Sequence, residues 1–198
     1  MLLLGICGSP RIASTDFVVK TALKWAEDKH NLNTKYFTVA GKEVKFCIHC
    51  DHCVKTKKGC VFKDDIAKIY SLMEKADAWV IGTPVYQGNL SAQTKAVLDR
   101  CRAISARNPS ILKNKIGGAI AVGGDRVGGQ EPAIKTIMDF FIINEMIPVG
   151  GGAFGANLGG TIWSKDKMAE GAKEDSVGLK TIYKMVDRLA KMLEIMKS

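Results

Sequence analysis

No stretch of the 198 residues holds the roughly eighteen consecutive apolar side chains that a membrane-crossing helix needs, which argues against an integral membrane protein. The apolar N-terminus, MLLLGICGSPR, has no basic segment ahead of it and runs straight into a turn, so it reads as a buried strand rather than a secretion signal. Helix-turn-helix, RRM and zinc-finger patterns are missing. The lysines are scattered along the chain and form no aromatic-interleaved stripe. The net charge of +9 therefore points to a basic surface, or one that meets acidic partners, rather than to a nucleic-acid interface. Neither an internal repeat nor a low-complexity segment is present. Together these absences lead to the expectation of a cytoplasmic globular protein, in a compartment where thiols stay reduced and disulfides are rare.

What is present is an alternation of short apolar runs with helical patterns. Hydrophobic residues make up 46% and charged residues 25%, ordinary values for a globular chain, and the length suits one domain. Strands are expected over 1–7, 33–39, 78–82, 115–123 and 147–149. Helices are expected over 14–30, 64–75, 91–104 (capped by Ser91), 130–144 and 177–196. Residues 150–175 are glycine-rich and polar, with no clean period. Continuous apolar strands between helices imply a parallel sheet covered on both faces. Five such strands fit an α/β, flavodoxin-like, doubly wound sheet, in which ligands bind beyond the carboxyl ends of the strands. The expected organisation is a single domain over 1–198, with a cysteine-rich loop inserted at 46–62 and a C-terminal loop and helix at 150–198.

Three loops follow strand ends. The first, Gly8–Thr15, is neither a Walker A loop nor a G-x-G-x-x-G turn. It nevertheless offers a helix N-terminus with Ser9, Pro10, Arg11, Ser14 and Thr15, a set suited to a phosphate monoester. Asp16 would repel a phosphate; it is expected to turn away or to meet helix amides, and is left out of the site. The second loop, Thr83, Pro84, Val85, Tyr86, Gln87, Gly88 and Asn89, can present amides and an Asn to a flat heteroaromatic edge. The third runs Gly123-Gly124-Asp125-Arg126-Val127-Gly128-Gly129-Gln130, and its glycines suit backbone packing against a planar ligand. Each loop alone could be an ordinary turn; all three lie where this fold would bind a mononucleotide.

The segment CIHCDHCVKTKKGC, residues 47–60, holds four cysteines and two histidines. Cys47, Cys50 and Cys53 recur every third residue, and a longer arm returns Cys60. Four thiolates at such spacing are what a [4Fe–4S] cluster requires. Zinc is the rival, although its ligands usually come as two separate C-x2-C knuckles. A disulfide is disfavoured by compartment. His49 and His52 are expected to point to solvent. Lys45, Lys55, Lys57, Lys58 and Lys63 surround the cysteines, either as a solvated face or as cations near an anionic cluster. Cys7 and Cys101 stand apart and read as small buried residues.

GSPR, TPVYQGNLSAQTKAVLDR and GGDRVGGQE resemble the corresponding loops of the NADPH-dependent FMN reductase superfamily. The cysteine segment resembles that of its iron–sulfur flavoprotein family, and the likeness covers nearly the whole chain. The resemblance implies one FMN and one [4Fe–4S] cluster per subunit. The first loop would hold the FMN phosphate, and the other two the ribityl chain and ring. It further implies assembly into a homodimer or homotetramer, with cluster and flavin of neighbouring subunits approaching each other, and the 150–175 region with Trp163 as a candidate for that contact. No protein nucleophile or acid–base pair is evident, so the chemistry would rest on the cofactors. The expected activity is electron transfer by an oxidoreductase, from reduced ferredoxin or NAD(P)H to an acceptor that the sequence does not specify. The alternative is an NAD(P)H-dependent FMN or quinone reductase with a structural zinc.

Overall fold

The computed structural model describes residues 1–155 and 157–196. Ala156, Lys197 and Ser198, part of the expected C-terminal loop and helix, lie outside the described residues. In chain order the elements are β1 (Leu2–Cys7), α1 (Ser14–His30), β2 (Asn33–Thr38), α2 (His52–Thr56), α3 (Asp65–Lys75), β3 (Ala78–Tyr86), β4 (Asn89–Leu90), α4 (Ala92–Arg100), α5 (Arg102–Arg107), β5 (Ile116–Gly123), α6 (Gln130–Ile143), β6 (Ile147–Val149), β7 (Gly160–Trp163), α7 (Met168–Lys173) and α8 (Ser176–Ile195). Among the described residues no helix is long and apolar enough to cross a membrane.

The parallel sheet has the order β2-β1-β3-β5-β6, the doubly wound arrangement expected. Alternate strand residues serve opposite faces, which is why the strands read as unbroken apolar runs. Leu4, Ile6, Trp79, Ile81 and Ala119 pack with Ile66 and Met73 of α3, Val97 of α4 and Phe141 of α6. Leu3, Val80, Ile120 and Val122 pack on the other face with Val18 and Ala22 of α1 and Met185 and Leu189 of α8. Asp64 caps α3 by accepting the Ala67 N–H, and Ser91 caps α4 by accepting that of Thr94, as its sequence position implies.

Three elements depart from the expected pattern. The fifth strand position is split: β6 pairs with 116–118 of β5, and β7, inside the region without a period, pairs with 120–123. Four residues set among glycines are too few to show a period of two. The third strand does not end at Gly82. It continues through Pro84, in register with Val122, to Tyr86, and turns back through Gln87 and Gly88 into β4. Since β1 ends opposite Gly82, Pro84 sits where the strand has only one long neighbour. Both hairpin residues have positive φ, 50° and 77°, as a tight two-residue turn demands. Finally, the expected helix over 91–104 breaks at Cys101. There the Cys101 N–H bonds to Leu98 O and the Ile104 N–H to Cys101 O, both three residues back, so the helix tightens locally before α5 begins.

Candidate functional site

Beyond the carboxyl ends of β1, β3 and β5 the sheet opens into a cleft of about 680 Å³ including its mouth. The first loop supplies Ser9, Arg11, Ala13, Ser14 and Thr15; the end of β3 supplies Pro84, Val85 and Tyr86; Val122 and Gly124 come from the end of β5 and the loop after it. The Ser9 hydroxyl accepts the Arg11 N–H at 3.1 Å and donates to the Arg11 carbonyl at 2.8 Å, which folds the loop back on itself. Ala13 at the N-cap of α1 provides no side-chain cap, so the orphan N–H groups of the first turn have no side-chain acceptor. With Ser14 and Thr15 beside them and the exposed Arg11 guanidinium, this is a surface that suits an anionic oxygen group.

Asp16 does turn from the cleft, but it meets side chains rather than helix amides. Its carboxylate accepts the Tyr36 hydroxyl at 2.5 Å and Lys20 Nζ at 2.9 Å. These two donors take up the charge that would otherwise oppose a phosphate.

Several other expected site residues build the cleft without lining it. The buried Thr83 hydroxyl donates to Pro84 O and accepts the Ser91 N–H and the Thr94 hydroxyl; Ser91 and Thr94 in turn reach the Gly8 carbonyl. This network ties together the ends of β1 and β3 and the start of α4. Gln87 and Gly88 form the hairpin turn, and Asn89 Oδ1 accepts the Thr136 hydroxyl of α6 at 3.0 Å. Gly129 has φ 105°, and a Cβ there would fall 2.5 Å from Gly88 O, so the second and third loops can touch only if this residue is glycine. Gln130 is buried: its Oε1 accepts the Gly128 N–H at 2.8 Å and its Nε2 donates to Asp125 O at 2.6 Å, holding the third loop in shape. Pro10, Gly123, Asp125, Gly128 and Gly129 likewise stand outside the lining.

The fourth wall of the cleft escaped the sequence reading. It consists of Ser164, Asp166 and Met168, just past β7. Ser164 donates both its N–H and its hydroxyl to Gly123 O, fixing this wall to the end of β5. Lys165, Asp166 and Met168 all have φ of 53–54°, a conformation costly for non-glycine residues and often found at functional sites. The buried Asp175 supports the turn, accepting the N–H groups of Trp163 (2.8 Å) and Gly178 (3.0 Å) and a 2.5 Å bond from Arg126. Burial pushes the Asp175 carboxyl up, but the Arg126 guanidinium and the two amides outweigh it, and its pKa ends below the ordinary value. Arg126 and Lys165 lie over the ring of Trp163, at 5.3 and 5.4 Å from its centroid. The only cue in the sequence was a short apolar run, TIW, between polar residues.

The cysteine segment leaves and re-enters the domain at one buried arginine. Arg100, 1% exposed, donates to the Lys45 carbonyl at 2.7 Å and to both oxygens of Asp64 at 2.7 and 2.9 Å, and lies over the Phe62 ring. Asp64 also accepts the Lys45 N–H at 2.9 Å. Residues 45 and 64 are thus pinned together, and everything between them forms a closed loop. Desolvation would raise the Asp64 carboxyl; the Arg100 bonds and the Lys45 amide reverse this and hold it below the usual range.

Within the loop, Cys47, Cys50, Cys53 and Cys60 all line one cavity of about 290 Å³ including its mouth. None is in a disulfide. Among the described residues no three Cys, His, Asp or Glu side chains stand at the spacing of a single metal ion. Four sulfurs on one zinc at 2.3 Å would lie about 3.8 Å apart, whereas these thiols surround a space. His49 lies exposed at the cavity wall, and His52, at the start of α2, is outside it. The five flanking lysines are exposed. Cys7 and Cys101 are buried elsewhere, and burial pushes the Cys101 thiol up to about 12.

The family model described as NADPH-dependent FMN reductase matches residues 1–161. An iron–sulfur flavoprotein of Methanocaldococcus jannaschii is 53% identical over 194 residues, 98% of each chain. One from Archaeoglobus fulgidus is 50% identical over 196 residues, 99% of each chain. Among solved structures, a flavodoxin-type WrbA-like protein of Agrobacterium tumefaciens superposes with a TM-score of 0.66 at 15% identity, covering 98% of both chains; this is a likeness of fold.

Proposed function

This chain belongs to the iron–sulfur flavoprotein family, among the NADPH-dependent FMN reductases, and on that premise we propose that it is a flavin-dependent oxidoreductase holding FMN in the cleft and a [4Fe–4S] cluster on Cys47, Cys50, Cys53 and Cys60. The observation that carries the reading is the convergence of four free thiols on one cavity, with no single-ion spacing among the described residues. The donor set is that of a four-iron cluster rather than of zinc.

Arg11 and the start of α1 supply positive charge to the FMN phosphate; Ser14 and Thr15 supply hydroxyls. Val85, Tyr86 and Met168 form a partly apolar wall that limits water at the ring. Gly88, Asn89, Gly129 and Gln130 keep the second and third loops in the shape that defines the cleft. When bound, the flavin supplies two-electron chemistry and the cluster one-electron transfer, so that one protein joins the two kinds of donor and acceptor. Reduced ferredoxin or NAD(P)H is the proposed donor. A homodimer or homotetramer is proposed as well, supported by exposed apolar side chains near both sites: Phe46, Ile48 and Val61 beside the cysteines, Ile12, Val127 and Met168 beside the cleft.

The test is the content of iron, acid-labile sulfide, zinc and FMN per chain in protein purified without oxygen, with its visible spectrum. About four irons, matching sulfide and one FMN support the proposal. One zinc with FMN and no sulfide would reduce the cysteine loop to a structural clip and leave a plain flavin reductase.

A further inference from the structure

The cysteine cavity has one wall residue, among the described residues, that does not come from the cysteine segment itself: Arg102, at the start of α5. Its Nη2 donates to Asp51 Oδ1 at 2.6 Å, and both side chains are only about one-third exposed (34% and 38%). Asp51 lies between Cys50 and Cys53, also lines the cavity, and has φ 58°. A carboxylate so placed opposes the addition of negative charge nearby.

Arg102 reaches the loop only because the helix breaks. In a regular α-helix, side chains two residues apart point about 200° away from each other. With the tightened turn at Cys101 between them, Arg100 grips the base of the loop while Arg102 faces its cavity. Two arginines that would diverge on one helix thus serve the same loop.

We propose that Arg102 is a potential-setting residue, the counter-cation that offsets Asp51 beside the proposed cluster and favours its reduced form. The inference rests on the cluster reading above. A cluster on four thiolates gains one further negative charge on reduction, and local net charge is one of the terms that set its potential. A simple loop staple would depend on the Arg102–Asp51 bond; a counter-cation depends on the sign of the charge.

The experiment is an anaerobic redox titration of the cluster by its spectrum, with iron and sulfide content, in wild type, Arg102→Gln, Arg102→Lys, Asp51→Asn and the double variant Asp51→Asn/Arg102→Gln. Arg102→Gln leaves Asp51 unbalanced and moves the midpoint to a more negative potential. Asp51→Asn leaves Arg102 unbalanced and moves it the other way. Arg102→Lys keeps the charge and stays near wild type, and the double variant returns toward it. Single variants that shift together, or do not shift while retaining iron, overturn the proposal and leave only a tie. If Arg102→Gln retains no cluster, Asp51→Asn decides alone, since only a counter-cation predicts its positive shift. A wild type without iron and sulfide would instead remove the cluster reading, and this inference with it.

Discussion

Replacing Asp64 by Asn tests how the cysteine loop is closed. Asn keeps the shape and an oxygen acceptor for the Lys45 and Ala67 N–H groups, and removes the charge. It leaves Arg100, 1% exposed and still protonated, with no carboxylate in place of two bonds of 2.7 and 2.9 Å. Breaking a buried pair from one side costs about 3–5 kcal/mol, a large share of the roughly 5–15 kcal/mol that holds a typical domain folded. In urea the midpoint should fall by more than about 1 M, given slopes of about 1–3 kcal/mol/M. Arg100→Met/Asp64→Leu, which removes both charges, should lose less than Asp64→Asn alone. Asp65→Asn, at an exposed pair with Lys68, is the control and should move the midpoint little. A loss below about 1 kcal/mol in Asp64→Asn would refute the reasoning, because a buried guanidinium without its partner cannot be that cheap.

Cys53→Ala should abolish an intact four-iron cluster and leave FMN in place; full iron and sulfide in that variant would overturn the ligand assignment. Arg11→Ala should weaken FMN by about tenfold, the loss of one charge-assisted bond at an exposed site, and riboflavin much less; equal loss of both, read by fluorescence titration, would remove Arg11 from the phosphate. The Asp64 and Asp175 carboxyls both have pKa values lowered by folding. Their contribution is complete above the unfolded carboxylate value of about 4 and is lost as pH falls through the folded-state values. Stability measured by urea unfolding should therefore drop below about pH 4, and the drop should be shallower in Arg100→Met/Asp64→Leu.

The order of strands and helices was legible because both sheet faces are buried, and burial on both faces writes continuous apolar runs. Glycine also spoke for itself: at Gly129 only a residue without Cβ lets two loops meet. Cysteine spacing marked the loop, since ligands to one group must come from nearby positions. The rest depended on contacts between distant parts of the chain. Thr83, Asn89 and Gln130 were chosen as ligand contacts, yet their side chains face the protein and hold its loops, a direction that spacing does not encode. Ser164, Asp166 and Met168 became a cleft wall only because β7 lies beside β5 and Asp175 braces the turn. Arg100 and Arg102 looked like two helix charges facing apart. One tightened turn and two aspartates from a loop some fifty and forty residues away decided otherwise. Local sequence determines which segments must be buried and where a ligand group can cluster; the direction each polar side chain takes is set by partners that only the folded chain brings within reach.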